Sequence, residues 1–242
     1  MTIFRCIPLV LLLLLAVPSE AQAVDAPQSS NKDEDLKDVK LLEEGAKLLK
    51  VGRTAEAIGS YFDKVIASFE VKYSKSDKTI FCARTAEETL FYLALAASDH
   101  KDAAVFSSTW ADAYYLKAYG LIDLQRVAEA RDFLGRALAL SPQNAQYMAE
   151  LAHVYGYEKN WSRALELYKA AAEAAEITSP AEVRTAELAR AWRGMGYVYV
   201  ELGRLDEAEA MYEKCLEADP NDRTASSELQ YVNSLRAKQN KE

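Results

Sequence analysis

The chain has 242 residues, 50% of them apolar and 27% charged, which is enough apolar material for a packed core and too much for wholesale disorder. Nine glycines and six prolines are too few for an all-β fold built on tight turns, or for a glycine-rich phosphate loop. With 29 Lys and Arg against 37 Asp and Glu the formal charge is −8, the wrong sign for gripping a nucleic-acid backbone, and two histidines and three cysteines leave little for a metal cage.

At the N-terminus, Arg5 precedes an apolar run over residues 7–17, followed by Pro18, Ser19 and the small-residue site Ala21-Gln22-Ala23. A basic start, a short apolar stretch and an A-x-A site predict a secretory signal peptide over residues 1–23. The run is shorter than the roughly 20 apolar residues of a stable membrane span, and a retained anchor is the alternative. The exported chain is expected in the periplasm of a Gram-negative bacterium and otherwise secreted. Residues 24–35, polar and acidic, are expected to be a disordered leader. Two cysteines remain, Cys82 and Cys215; their separation along the chain argues against a disulfide and for two small buried side chains.

Beyond the leader the sequence repeats itself. Segments align on Ala57, Ala130, Ala164 and Ala208, spaced by 73, 34 and 44 residues. Four positions after each alanine stands a bulky residue, Tyr61, Leu134, Tyr168 or Tyr212, and twelve before stands a very small one, Gly45, Ala118, Ala152 or Gly196. Nine before come Leu48, Leu121, Tyr155 and Tyr199. Apolar residues at these helical spacings, with small residues where two helices cross, describe a helix-turn-helix unit. Gly52 and Gly203 fall where a left-handed residue ends the first helix; Gln125 and Lys159 hold that place in the middle units, at some cost in strain.

Trp192, Met195-Gly196, Tyr199, Ala208, Tyr212, Cys215 and Pro220 together resemble the tetratricopeptide repeat (TPR), and the other segments follow the same register. The resemblance implies an all-α, right-handed α-solenoid of stacked helix-turn-helix repeats with a C-terminal capping helix. The expected units are a TPR-like repeat at 36–71, a degenerate helical repeat at 72–110, and repeats at 111–144, 145–188 and 189–222. A capping helix and tail follow at 223–242. Within the degenerate unit, residues 79–98 are expected to form one long helix, and Thr109 with Asp112 a capping box for the next. The repeat at 145–188 carries a ten-residue insertion after Ala175, with Ser179 expected as N-cap, Pro180 at the first helical position and Glu182 reaching back.

No catalytic or metal-ligand motif accompanies His100, His153 or the cysteines, so an enzyme, a cofactor and a metal are not expected. What the resemblance implies instead is a groove lined by the first helix of each unit. Its positions here are Asp112, Tyr115 and Tyr119 in one unit, Glu150, His153 and Tyr157 in the next, and Arg190, Arg193 and Tyr197 in the last. Rigid tyrosines with arginines predict a protein-binding surface for an acidic or carboxylate-bearing peptide. Arg190 and Arg193 pairing with Glu187 or Glu201 is the plainer expectation.

The function expected is thus a non-catalytic exported adaptor binding a peptide segment of another cell-envelope protein, without nucleic acid and without a membrane span once the signal is cleaved; self-association is open. The alternative is a structural assembly subunit of an envelope machine (pilus, secretion or polysaccharide export), docked through the convex face or segment 72–108. A small-ligand-binding or enzymatic protein built around His153 comes third.

Overall fold

A computed structural model describes residues 32–239 of the chain; the signal peptide expected over residues 1–23 and most of the expected leader lie outside them. The first helix, α1 (Lys32–Lys50), takes in residues 32–35, which composition alone assigns to a disordered leader. Carboxylates in a first helical turn are favoured by the helix dipole. Here Asp35 also receives Lys72 at 3.2 Å, and Asp38 accepts a hydrogen bond from Ser68 at 2.9 Å.

The second helix of this pair is continuous but not uniform: α2 (Thr54–Ala57), one turn of π-helix (Ile58–Phe62), then α3 (Asp63–Tyr73). A π turn holds one residue more than an α turn. The ring that faces Gly45 is therefore Phe62, fully buried, and not Tyr61, which the alignment puts there and which is only half-buried.

Three further pairs follow: α5 (Thr109–Asp123) with α6 (Val127–Leu140), α7 (Ala145–Tyr157) with α8 (Trp161–Thr178), and α9 (Ala181–Glu201) with α10 (Leu205–Ala218). A last helix, α11 (Arg223–Gln239), closes the stack through Ala225 and Val232. The four reference alanines, Ala57, Ala130, Ala164 and Ala208, are all completely buried. Each pair turns the same way. Gly52, Gln125, Lys159 and Gly203 have φ of 75°, 60°, 58° and 70°, and the next N–H in each case donates back to the carbonyl of Leu48, Leu121, Tyr155 or Tyr199. That is a Schellman closure repeated four times.

Residues 72–110 are not a repeat. Within them β1 (Thr79–Ala83) and β2 (Ala103–Ser107) pair in parallel, Thr79 opposite Ala103 through Ala83 opposite Ser107, joined by α4 (Ala86–Ser98). The helix expected over 79–98 is thus a strand followed by a helix, with Thr85 as N-cap accepting from the Glu88 N–H. A short apolar run does not by itself distinguish strand from helix, and each parallel partner lies 24 residues further on. One sheet face, with Phe81, Ala83 and Val105, packs on Tyr92 and Ala96 of α4; the other puts Cys82 into the main core and Phe106 on Tyr73, ring centroids 4.4 Å apart. Covering both faces is what a parallel pair requires.

The β-α-β unit is therefore an insertion between two helix pairs that stack directly on each other. A Cβ on Gly120 of α5 would lie 3.0 to 3.3 Å from Thr54, Leu49 and Ile58 of the first pair. The insertion is fastened along the turns between pairs. Ser141 donates to the Cys82 carbonyl at 2.7 Å, and the Gln143 N–H donates to the Tyr92 hydroxyl at 3.3 Å. Arg84 bridges Glu88, fully buried, and Glu187 of α9 at 2.6 Å. Ser179 is spent on Glu187 instead of capping α9, whose N-cap is Pro180. The helix start at Ser108 likewise lacks the expected capping box: Asp112 turns its carboxylate to Tyr147. Cys82 and Cys215 are both buried and unpaired, and burial raises their thiols to about 12 and about 11.

A methyl group separates packing from propensity in this fold. A Cβ on Gly196 would meet the Tyr212 ring at 2.6 Å, whereas one on Gly135 of α6 meets nothing within 4 Å. Gly196→Ala is expected to destabilise the protein by about 1–3 kcal/mol by overpacking, and Gly135→Ala to stabilise it by about 0.5–1 kcal/mol through helix propensity. Chemical denaturation of the two variants beside the wild type checks both signs.

Candidate functional site

The helices α5, α7 and α9 carry the side chains expected to line a groove, and the structure sorts them into two layers. The inner layer is packed and paired. Tyr115 is 8% exposed and stacks on Tyr147, ring centroids 5.1 Å apart and planes 24° apart. Its hydroxyl accepts from Gln146 at 3.0 Å, and Tyr147 donates its own to Asp112 at 2.6 Å. Glu150, 2% exposed, receives Arg190, and Asp222 receives Arg193 while capping α11 through the Ala225 N–H.

Neither arginine meets Glu187 or Glu201, the partners expected from helical spacing. Each reaches instead to the neighbouring element, because a side chain of this length on a stacked helix finds a carboxylate across the interface closer than one on its own helix. Asp112, Tyr115 and Glu150 are thus the floor of the site, and Arg190 and Arg193, their side chains 41% and 30% exposed, each already hold a carboxylate.

The outer layer faces solvent. Tyr119, Tyr157 and Tyr197 are 43%, 61% and 47% exposed, and His153 is exposed between them. Two of the rings are steered by residues outside the expected lining positions. Tyr157 donates its hydroxyl to Gln125 at 2.9 Å, and Tyr197 sits edge-on to Trp161 with centroids 6.1 Å apart. Gln125 is there because its left-handed backbone closes the turn, so its strained position was the signal available. Trp161 opens α8 behind Asn160, whose side chain accepts from the Arg163 N–H at 3.2 Å. No spacing rule points to Trp161 or to Asp222.

Three of the phenols, Tyr115, Tyr147 and Tyr197, are held in the neutral form. Burial raises Tyr115 to about 12 and Tyr147 well above the usual tyrosine value, and burial with the Glu201 charge raises Tyr197. His153 lies in the open, not in the closed apolar pocket that the small-ligand or enzymatic reading asks for.

Two segments of the chain, residues 111–144 and 189–222, match family models described as tetratricopeptide repeat. The fold is that of a TPR solenoid. No curated protein matches the chain by sequence. Among solved structures, PilF of Pseudomonas aeruginosa aligns with a TM-score of 0.59 at 15% identity, over 86% of this chain and 72% of that one. The first TPR of Spaghetti (RPAP3) bound to the HSP90 peptide SRMEEVD gives 0.47 at 23% identity, over 54% of this chain and 96% of that one. MamA gives 0.49 at 20% identity, over 80% and 84%. Together with the two family matches, the PilF alignment supports the TPR fold of the described residues. Among those residues no helix is long and apolar enough to cross a membrane.

Burial also raises the Asp112 carboxyl above its usual value, against the hydrogen bonds from Ser108 and Tyr147 that lower it. A carboxyl raised on folding contributes stability that is full below the unfolded value of about 3.9 and is lost as pH rises through the folded value. Asp112→Asn keeps an acceptor for Tyr147 and cannot ionise. The variant is therefore expected to gain on the wild type as pH goes from about 4 to 7, read as the difference in urea midpoints; a constant difference would show that the carboxyl is not desolvated.

Proposed function

We propose that the protein is a non-catalytic TPR adaptor that holds a segment of another protein along α5, α7 and α9. The observation that carries this reading is the outer layer: three tyrosines and a histidine exposed on successive stacked helices, over a floor whose every charged side chain is already paired. Exposed rings clustered on a rigid base mark an interface, because they bring contact area at low cost in side-chain entropy. A groove that binds needs such preorganisation more than it needs area. The basic, apolar and small-residue pattern of residues 1–23 supports export, hence a partner in the cell envelope.

A photocrosslinking residue at position 119 or 157 is expected to join the protein to one other envelope protein in cells, and the same residue at the half-buried position 61 to give no such adduct. Recovery of copies of this chain alone would replace the adaptor with a homo-oligomer.

A second reading, an assembly subunit of an envelope machine, is favoured by α4. This helix is apolar nearly all round, packs one side on the sheet, and leaves Leu90 68% exposed with Ala94 and Ala97 beside it. Tyr92 cannot test that reading, since it is fully buried in the insertion's own core. Leu90→Asp can: it is expected to leave crosslinking at 119 intact under the adaptor reading, and to abolish co-purification with a large complex if α4 is the docking face.

A further inference from the structure

The exposed line of this groove repeats a two-residue device. Tyr119 is followed one turn later on α5 by Asp123, and Tyr197 one turn later on α9 by Glu201; residues four apart share a helix face. All four side chains are exposed. On α7 the corresponding places hold His153 and Tyr157. The positive charge that a tyrosine-and-arginine line suggests is absent from this surface in effect, because Arg190 is spent on Glu150 and Arg193 on Asp222. What faces an incoming chain is aromatic faces with carboxylates beside them.

The same protein shows what such a pair accepts. Lys117 lies 4.0 Å over the Phe133 ring while its ammonium meets Asp63 at 2.6 Å. Arg204 lies 4.6 Å over Tyr199 while it meets Glu207 at 2.6 Å. In both, a ring face and a carboxylate hold one cation between them, each supplying attraction the other does not.

Taking the groove to be the binding surface, we infer that its ligand is a cationic segment, with one Lys or Arg over Tyr119 against Asp123 and a second over Tyr197 against Glu201. This replaces the acidic or carboxylate-bearing peptide expected from the arginines. The two devices lie two helices apart, roughly 20 Å at the usual packing distance of about 10 Å. An extended chain rises about 3.3 Å per residue, so the two cations should stand roughly six residues apart.

Selection from a display library of random twelve-residue peptides on the full chain tests this. The expected binders are enriched in Lys and Arg at that spacing, weaken as salt is raised, and lose about tenfold in affinity on Asp123→Asn/Glu201→Gln, about 1.4 kcal/mol. Binders that are acidic or uncharged, yet lost on Tyr119→Ala/Tyr157→Ala, would overturn the cationic ligand and leave the groove standing. Basic binders indifferent to Asp123→Asn/Glu201→Gln would also overturn it. An empty selection, or binders indifferent to the tyrosine changes, would remove the groove itself.

Discussion

In the first and last helix pairs an aromatic ring of the second helix occupies the space that a Cβ on the first would need: Phe62 against Gly45, Tyr212 against Gly196. Between pairs the same contact recurs, with Tyr168 of α8 seated against Gly194 of α9. Interiors are close-packed, so a ring admitted this deeply sets the approach of the two backbones and leaves no alternative register. At the same register in the middle pairs stand Ala118 and Ala152, and all four positions are buried. The position of every exposed side chain on α5, α7 and α9 follows from that fixed approach. So does the pairing of long arginines with carboxylates on the neighbouring element rather than on their own helix.

The β-α-β insertion solves a different problem. Placed between two pairs that must stack directly, it cannot enter the helix stack, so it lies along the turns and has to be held there by side chains. Its apolar side is small: Phe81, Ala83, Tyr92 and Ala96 form their own core. Cys82 in the main core and Phe106 on Tyr73 hold its other face, and polar contacts add to them through Ser141, Gln143 and the Arg84 bridge between Glu88 and Glu187. A buried ion pair contributes little net stability against its desolvation, but removing one partner strands a charge, so it specifies position more than it adds stability. The ten-residue insertion after Ala175 furnishes Ser179, which donates to the Glu187 that Arg84 reaches, so the two departures from a 34-residue period meet at that carboxylate.

The repeat was legible because its cause is local: small residues at crossings, bulky ones at helical spacings, and one left-handed residue per turn, even where that residue is Gln125 or Lys159. What escaped had non-local causes. The spacing of 73 residues between Ala57 and Ala130 invites an extra repeat, and only the pairing of β1 with β2, decided across the intervening helix, says otherwise. The π turn that substitutes Phe62 for Tyr61 is invisible to any alignment at constant register. Within the site, the residue types were legible and their exposure was not. A tyrosine at a lining position goes into the floor, like Tyr115, or into solvent, like Tyr119, according to whether the next unit brings a ring such as Tyr147 against it.

That last point governs the chemistry of the surface. A list of lining residues counts Arg190 and Arg193 as two positive charges and so predicts an anionic ligand; the folded chain places a carboxylate on each and returns the surface to aromatic and acidic. An overall charge of −8 is consistent with that outcome, because scarce cations in an acidic protein are drawn to the carboxylates that burial has made most costly to leave alone, of which Glu150 is one. Asp123 and Glu201, exposed at the ends of α5 and α9, stay hydrated until a partner arrives. Long-range steering by such charges raises the rate of encounter, while the rings beneath them, held by Gln125 and Trp161, set how long the partner stays.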